Sequence, residues 1–195
     1  MILISHRVNK LNQLKKTNTR YGIEIDIRDK NNDLIVTHDP FSNGIKLTTY
    51  LNSFKHKLII ANIKSERIED RVIKIFKKKK IKNYFFLDSS IPKIIDMTKK
   101  NINNIGLRVS YYENIEIAVK LKGKVRWIWY DTFMGIPKDL KEFRLLKKMN
   151  YKICLVSPEL HKKKVDFNSK QLNLLKKKRL IDAICTKEKY FKNWI

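Results

Sequence analysis

Short runs rich in Ile, Val, Leu and aromatic residues recur along the chain at 2–5, 22–27, 58–63, 84–88, 104–110, 126–131, 151–157 and 181–186. Their near-continuous apolar character suits strands buried on both faces, as in a parallel sheet. Between them lie segments whose apolar residues fall at helical spacing. The clearest spans 65–80, where Ile68, Val72, Ile75 and Phe76 share one stripe. Ser65 is its expected N-cap, Glu66, Glu69 and Asp70 fall in the first turns, and Lys77, Lys78, Lys79 and Lys80 close it, so the charge order complements the helix dipole. Ser90 before Ile91 and Pro92, and Asn168 with Ser169 before Leu172, read as further helix starts. One more extended piece, 34–37, follows a turn-like stretch at 29–33 and predicts a hairpin after the second strand.

This rhythm amounts to eight strand–helix units, the last helix being a short one at 188–194. Eight alternating units predict an α/β fold closed as a (β/α)8 TIM barrel, small and with short loops. A doubly wound open sheet is the structural alternative. No Gly-rich turn follows the first strand, which removes the signature of its dinucleotide-binding version. The sequence shows no linker or low-complexity stretch, and residues 1–195 read as one domain.

Composition changes this picture little. Hydrophobic residues at 43% and charged residues at 32% describe a globular chain. No run approaches the roughly 18–20 apolar residues that a membrane-spanning helix needs, and 1–5 is too short for a secretory signal, so a cytoplasmic location is expected. Cys154 and Cys185 sit in apolar stretches and read as buried thiols rather than a disulfide. The net charge of +25 fits an anionic partner: a phosphate-bearing substrate, an acidic membrane surface or nucleic acid. Joint abundance of Lys, Asn and Ile, as an AT-rich genome would give, accounts for most of those lysines, and many lie at the ends of expected helices. The charge supports an anionic ligand without identifying one.

Functional groups of such barrels lie at the C-terminal ends of strands. Read in order, those ends carry His6 and Arg7, Glu24 and Asp26, His38 and Asp39, Asn62 and Lys64, Asp88, Arg108 with Ser110, Trp129 with Asp131, Ser157, and Thr186 with Lys187. Glu24 and Asp26 are two apart on one strand, so both carboxylates project to one face. Such neighbours repel unless they share a proton or a cation, and a hard divalent ion with oxygen ligands would resolve the conflict. Pairing with Arg28 or Lys64 would resolve it too. His6 and His38 bracket the pair and suit proton transfer near neutral pH. His56 and His161 fall in polar segments and are expected to carry no chemistry. Arg7, Lys64 and Arg108 offer phosphate contacts, Arg through two-point hydrogen bonding and Lys as a point charge. Trp129 and Tyr111 are candidates to line a pocket, and equally candidates for the core.

Ile4-Ser5-His6-Arg7, Ile23-Glu24-Ile25-Asp26-Ile27 and Leu34-Ile35-Val36-Thr37-His38-Asp39-Pro40 resemble the opening of the glycerophosphodiester phosphodiesterase family. Residues 58–65 resemble its third strand and 181–187 its last; order and spacing match across the first 65 residues and the fit thins through the middle. The resemblance implies a barrel phosphodiesterase that uses Mg²⁺ or Ca²⁺. Its catalytic pair would fall on His6 and His38, its phosphate-binding arginine on Arg7, and its first two metal ligands on Glu24 and Asp26. Asp39 would support His38, and Lys64 would lie near the phosphate. The chain departs from the pattern at Asn62, where the family has an acidic third ligand, and at Val8, where it has Gly. An amide oxygen can still ligate, but with one negative charge fewer.

The resulting expectation is metal-assisted cleavage of a glycerophosphodiester-like substrate or phospholipid headgroup, with Glu24, Asp26 and Asn62 on the cation and the two histidines moving protons. Arg7, Lys64 and Arg108 would bind phosphate, with Asp39, Asp131 and Trp129 in support. The rival readings are a phospholipase C-like barrel acting on an inositol phospholipid, a phosphate- or headgroup-binding protein without turnover, and a basic nucleic-acid-binding domain. The last ranks lowest, because no nucleic-acid-reading motif accompanies the charge.

Overall fold

Ten strands and eight α-helices alternate along the chain in a computed structural model that describes residues 1–195. The strands are β1 (Ile2–Ser5), β2 (Gly22–Lys30), β3 (Asp33–Val36), β4 (Ile45–Lys46), β5 (Leu58–Ile63), β6 (Tyr84–Leu87), β7 (Gly106–Val109), β8 (Trp127–Tyr130), β9 (Lys152–Val156) and β10 (Ala183–Thr186). The helices are α1 (Leu11–Lys16), α2 (Leu47–Leu51), α3 (Glu69–Lys78), α4 (Ile91–Lys99), α5 (Glu116–Lys120), α6 (Lys141–Lys148), α7 (Lys170–Lys177) and α8 (Phe191–Trp194). The strand–helix alternation and the hairpin follow the sequence pattern; β4 was not anticipated.

The chain divides into two compact units. The first comprises residues 1–4 and 97–195, with strands in the order β1-β10-β9-β8-β7. From β10 to β7 every pair is parallel, as the continuous apolar runs require. Trp127, Ile128, Trp129 and Tyr130 are all buried. Cys154 and Cys185 are buried free thiols, as expected.

The second unit, residues 5–96, orders its strands β4-β3-β2-β5-β6. β2 and β6 flank β5 in parallel, while β3 and β4 extend the sheet antiparallel. Asn31 and Asn32, both with positive φ, form the two-residue turn that joins Lys30 to its partner Asp33. That is a type I′ geometry, which asparagine tolerates and which matches strand twist. Gly44 is demanded by proximity rather than by φ: a Cβ there would lie 2.6 Å from the Val36 carbonyl oxygen.

Four helices end alike. After α3, α4, α6 and α7 the chain passes through a left-handed residue: Lys80, Asn101, Asn150 and Arg179. In each case its N–H and the next one turn back to the helix, for example Lys80 to the Lys77 carbonyl at 3.0 Å and Ile81 to the Phe76 carbonyl at 2.9 Å. These are Schellman closures with an apolar residue following, built without glycine.

One expectation fails. Ser65 does not cap α3, which begins only at Glu69. Arg67 adopts a φ of 62°, so the chain turns before the helix starts, and Ser65 Oγ instead accepts from the Asp29 N–H at 3.3 Å. Ser169, by contrast, caps α7, accepting from the Leu172 N–H at 3.4 Å.

Candidate active site

β2 and β5 build the floor of the site in the second unit. Their parallel register sets Glu24 beside Ile60 and Asp26 beside Asn62. Glu24 and Asp26 are each 1% exposed and Asn62 is 8% exposed, so three polar side chains lie in the apolar interior of a sheet. Such burial is costly unless hydrogen bonds compensate it.

Much of the compensation comes from the turn after β1. Arg7 has a φ of 55°, and this left-handed turn aims its N–H at Glu24 Oε2, 2.6 Å away. Its guanidinium lies 3.7 Å from Asp26. Asn9 clasps Asp26 twice, donating to Oδ2 at 2.7 Å and accepting from the Asp26 N–H at 2.9 Å. His6 Nε2 is 3.9 Å from Glu24 Oε2. On the other side Asn62 donates its amide to Glu24 Oε1 at 2.9 Å. Lys64 reaches Asp88 at 2.9 Å and Asp26 at 3.8 Å. Of the two cations that could have neutralised the carboxylates, Lys64 does so in part, whereas Arg28 donates to the carbonyls of His38 and Lys64.

Two oxygens are left over. Asp26 Oδ1 and Asn62 Oδ1 are buried and accept no hydrogen bond. Glu24 records the same shortage of positive charge: burial first, and Asp26 second, raise its carboxyl from 4.5 to about 7, against the opposing hydrogen bonds from Asn62 and Arg7.

His38 follows β3. Its Nδ1 is 2.7 Å from Asp39 Oδ1, and that contact holds the Asp39 carboxyl below its ordinary value. An ionised carboxylate only accepts, so Nδ1 carries the proton and Nε2 is the nitrogen left for other chemistry. His38 and Arg7 line one cavity of about 600 Å³, together with Thr37, Asn43 and Gly44. The second unit thus gathers His6, Arg7, Glu24, Asp26, His38, Asp39, Asn62 and Lys64 at the turn over residues 6–9 and the ends of β2, β3 and β5.

The donor chemistry between β2 and β5 is all oxygen. No three His, Cys, Asp or Glu side chains assemble as a metal-binding group. A divalent ion here would rest on Glu24, Asp26 and the Asn62 amide oxygen. Two of those groups hold buried acceptors without a hydrogen-bond partner, and all are the oxygen donors that Mg²⁺ and Ca²⁺ take.

The remaining sequence candidates lie in the first unit, around Asp131, which is 3% exposed. Its carboxylate takes Arg108, His161 and, at 3.1 Å, Trp129 Nε1. Arg108 also lies 3.6 Å from Glu113, so its guanidinium is committed to two carboxylates. Trp129 is buried beneath this network. Tyr111 is 75% exposed and lines a cavity of about 960 Å³ with Tyr112, Met134 and Asp131. His161 is the participant that sequence reasoning dismissed. Its segment is polar, and only the fold brings it to Asp131, with the Phe133 ring tilted against it at 4.3 Å between centroids. His56 is structural, bonded through Nε2 to the Thr17 carbonyl at 2.9 Å.

No protein-family model and no curated protein matches this sequence. Solved structures do match. A glycerophosphodiester phosphodiesterase from Agrobacterium tumefaciens superposes with a TM-score of 0.64 at 11% identity, covering 95% of this chain and 96% of its own. The fold is the (β/α)8 barrel. A glycerophosphoryl diester phosphodiesterase from Parabacteroides distasonis gives a TM-score of 0.61 at 11% identity, over 94% of this chain and 81% of that one. The barrel expected from eight strand–helix units is therefore present. No helix of it is long and apolar enough to cross a membrane.

Proposed function

We propose that the Glu24–Asp26 cluster is the active site of a phosphodiesterase acting on a glycerophosphodiester-like substrate, with a divalent cation and two histidines. The observation that carries this reading is the pair of buried acceptors, Asp26 Oδ1 and Asn62 Oδ1, unsatisfied on register-matched strands beside Glu24. The barrel shared with two phosphodiesterases agrees with it. Mg²⁺ or Ca²⁺ held by Glu24, Asp26 and Asn62 would supply charge neutralisation to a non-bridging phosphate oxygen.

The chain's own residues do the rest. Arg7 and Lys64, both already turned toward Asp26, orient the phosphate. One histidine takes the proton from the attacking hydroxyl, of water or of the substrate, as its oxygen bonds to phosphorus. The other delivers a proton to the departing alcohol oxygen as the old P–O bond breaks. Asp39 fixes His38 so that Nε2 is its working nitrogen. A net charge of +25 would favour the approach of such an anion, including one presented on an acidic membrane surface.

Turnover of glycerophosphodiesters, an inositol phospholipid and a chromogenic diester, each with Mg²⁺, Ca²⁺ or Mn²⁺, tests the proposal. Metal-dependent cleavage that vanishes in His6→Ala and in His38→Ala is the expected result. Saturable binding without turnover under any of the metals would instead identify a phosphate-binding protein, and cleavage confined to the inositol lipid would move it to the phospholipase C-like class.

A further inference from the structure

A second pocket of the same unit, about 270 Å³, lies where β5 and β6 hand over to their helices. It is lined by Ile63, Lys64, Ser65, Glu66, Glu69, Asp88 and Ser90. Three carboxylates against one ammonium give it a formal excess of negative charge, in a chain whose net charge is +25. Glu69 is the decisive member. It is 1% exposed, and its Oε2 is buried without a hydrogen-bond partner. A buried acceptor left unmade costs its full desolvation, so it calls for a donor that the fold itself does not provide. Lys64 joins this pocket to the candidate active site, because the same Nζ contacts Asp88 and Asp26.

We propose that Glu66, Glu69, Asp88 and Ser90 form a recognition subsite for a primary ammonium group on the alcohol of the substrate. This rests on the phosphodiesterase reading for the placement of the phosphate at Lys64. A divalent metal fits less well, since no three carboxylates here converge as metal ligands, whereas ammonium contacts are longer and more tolerant. A trimethylammonium fits less well too. It has no N–H to give to Glu69, and the lining holds no aromatic ring to receive its charge. The Lys64–Asp88 contact at 2.9 Å already shows a primary ammonium docked on this wall.

The test has a binding arm and a turnover arm. Backbone amide resonances of the whole protein are followed while ethanolamine, choline or ethylene glycol is added without any diester. Ethanolamine alone should shift the amides of Ser65, Glu66, Glu69 and Ser90, and Glu69→Gln and Glu66→Gln should each abolish the response. Equal shifts with choline or ethylene glycol, or displacement of ethanolamine by Mg²⁺ below millimolar concentration, would overturn the subsite. In turnover, kcat/KM for the ethanolamine ester should exceed that for the glycerol and choline esters about tenfold, as one charged hydrogen bond implies, and the preference should fall to near one in both variants. Supplying the ethanolamine group as the free glycerophosphodiester or as a phospholipid in vesicles tells which source is used; preference in either form supports the subsite. Cleavage without preference among alcohols sinks the subsite and leaves the phosphodiesterase reading intact. Ethanolamine binding with no cleavage of any diester does the reverse.

Discussion

Glu24→Gln probes the electrostatics on which the site is built. In the metal-free protein, burial and then Asp26 raise the Glu24 carboxyl from 4.5 to about 7. The folded value lies above the unfolded one, so folding favours the protonated form. That contribution is complete below about 4.5 and is lost as pH climbs through 7. At about 1.36 kcal/mol per unit, the loss across this window is on the order of 3 kcal/mol. For a chain of this size that corresponds to a fall in Tm of roughly 6–12 °C. Gln keeps the side-chain volume, accepts the Arg7 N–H and carries no charge to desolvate. Its amide can donate to Asn62 Oδ1 once the Asn62 amide turns over. Thermal and urea unfolding from pH 4.5 to 8.5 in the presence of a chelator, on wild type and variant, is the assay. Wild type should lose stability with rising pH, the variant should stay flatter and be the more stable at pH 8, and saturating Mg²⁺ or Ca²⁺ should restore wild type. Superimposable pH profiles for the two proteins would refute the reasoning.

Three further outcomes follow from the same geometry. Asn62→Glu should tighten Mg²⁺ or Ca²⁺ binding at least about tenfold by calorimetry, through an added anionic oxygen, while destabilising the metal-free protein above pH 7; unchanged affinity would remove Asn62 from the ligand set. Gly44→Ala drives a Cβ to 2.6 Å from the Val36 carbonyl oxygen and should cost about 1–3 kcal/mol, with faster amide exchange in β3 and β4; an unaltered Tm would mean that the hairpin has slack. Asp131→Asn strips a buried carboxylate from Arg108 and His161, leaves Arg108 with Glu113 alone, and should cost about 1–3 kcal/mol in urea unfolding; an unchanged unfolding midpoint would show that the network contributes little.

The alternation of apolar runs and helical stripes was enough to reach the barrel, because buried parallel strands leave an uninterrupted apolar signature. The Glu24–Asp26 pair was legible for a related reason: period-two spacing fixes which side chains share a face, whatever the rest of the chain does. Asn62 was legible as a departure from a resemblance, but not as the donor to Glu24; that depends on the β2–β5 register, which is a tertiary property. His161 escaped because its partner is thirty positions away. The start of α3 was misplaced because helical periodicity in 65–80 conceals the left-handed Arg67, a residue type that carries no turn signal. Glu69 stands where a first-turn acid complements the helix dipole, and nothing local announces that its carboxylate is buried.

The four glycine-free helix endings have a consequence for how this sequence can change. Glycine occurs only five times, yet eleven non-glycine residues occupy left-handed conformations. Glycine codons are rich in G and C, whereas those of lysine and asparagine are rich in A. A coding bias toward A and T would therefore empty helix ends of the residue that suits them best. Lys80 and Arg179 bear the larger strain, on the order of 1 kcal/mol each, since asparagine tolerates the conformation better. Both lie outside the clusters around Glu24 and Asp131. The molecule thus keeps a reserve of stability at its helix ends, open to simple glycine substitution, from which changes at Asn62 or Glu69 could be tolerated.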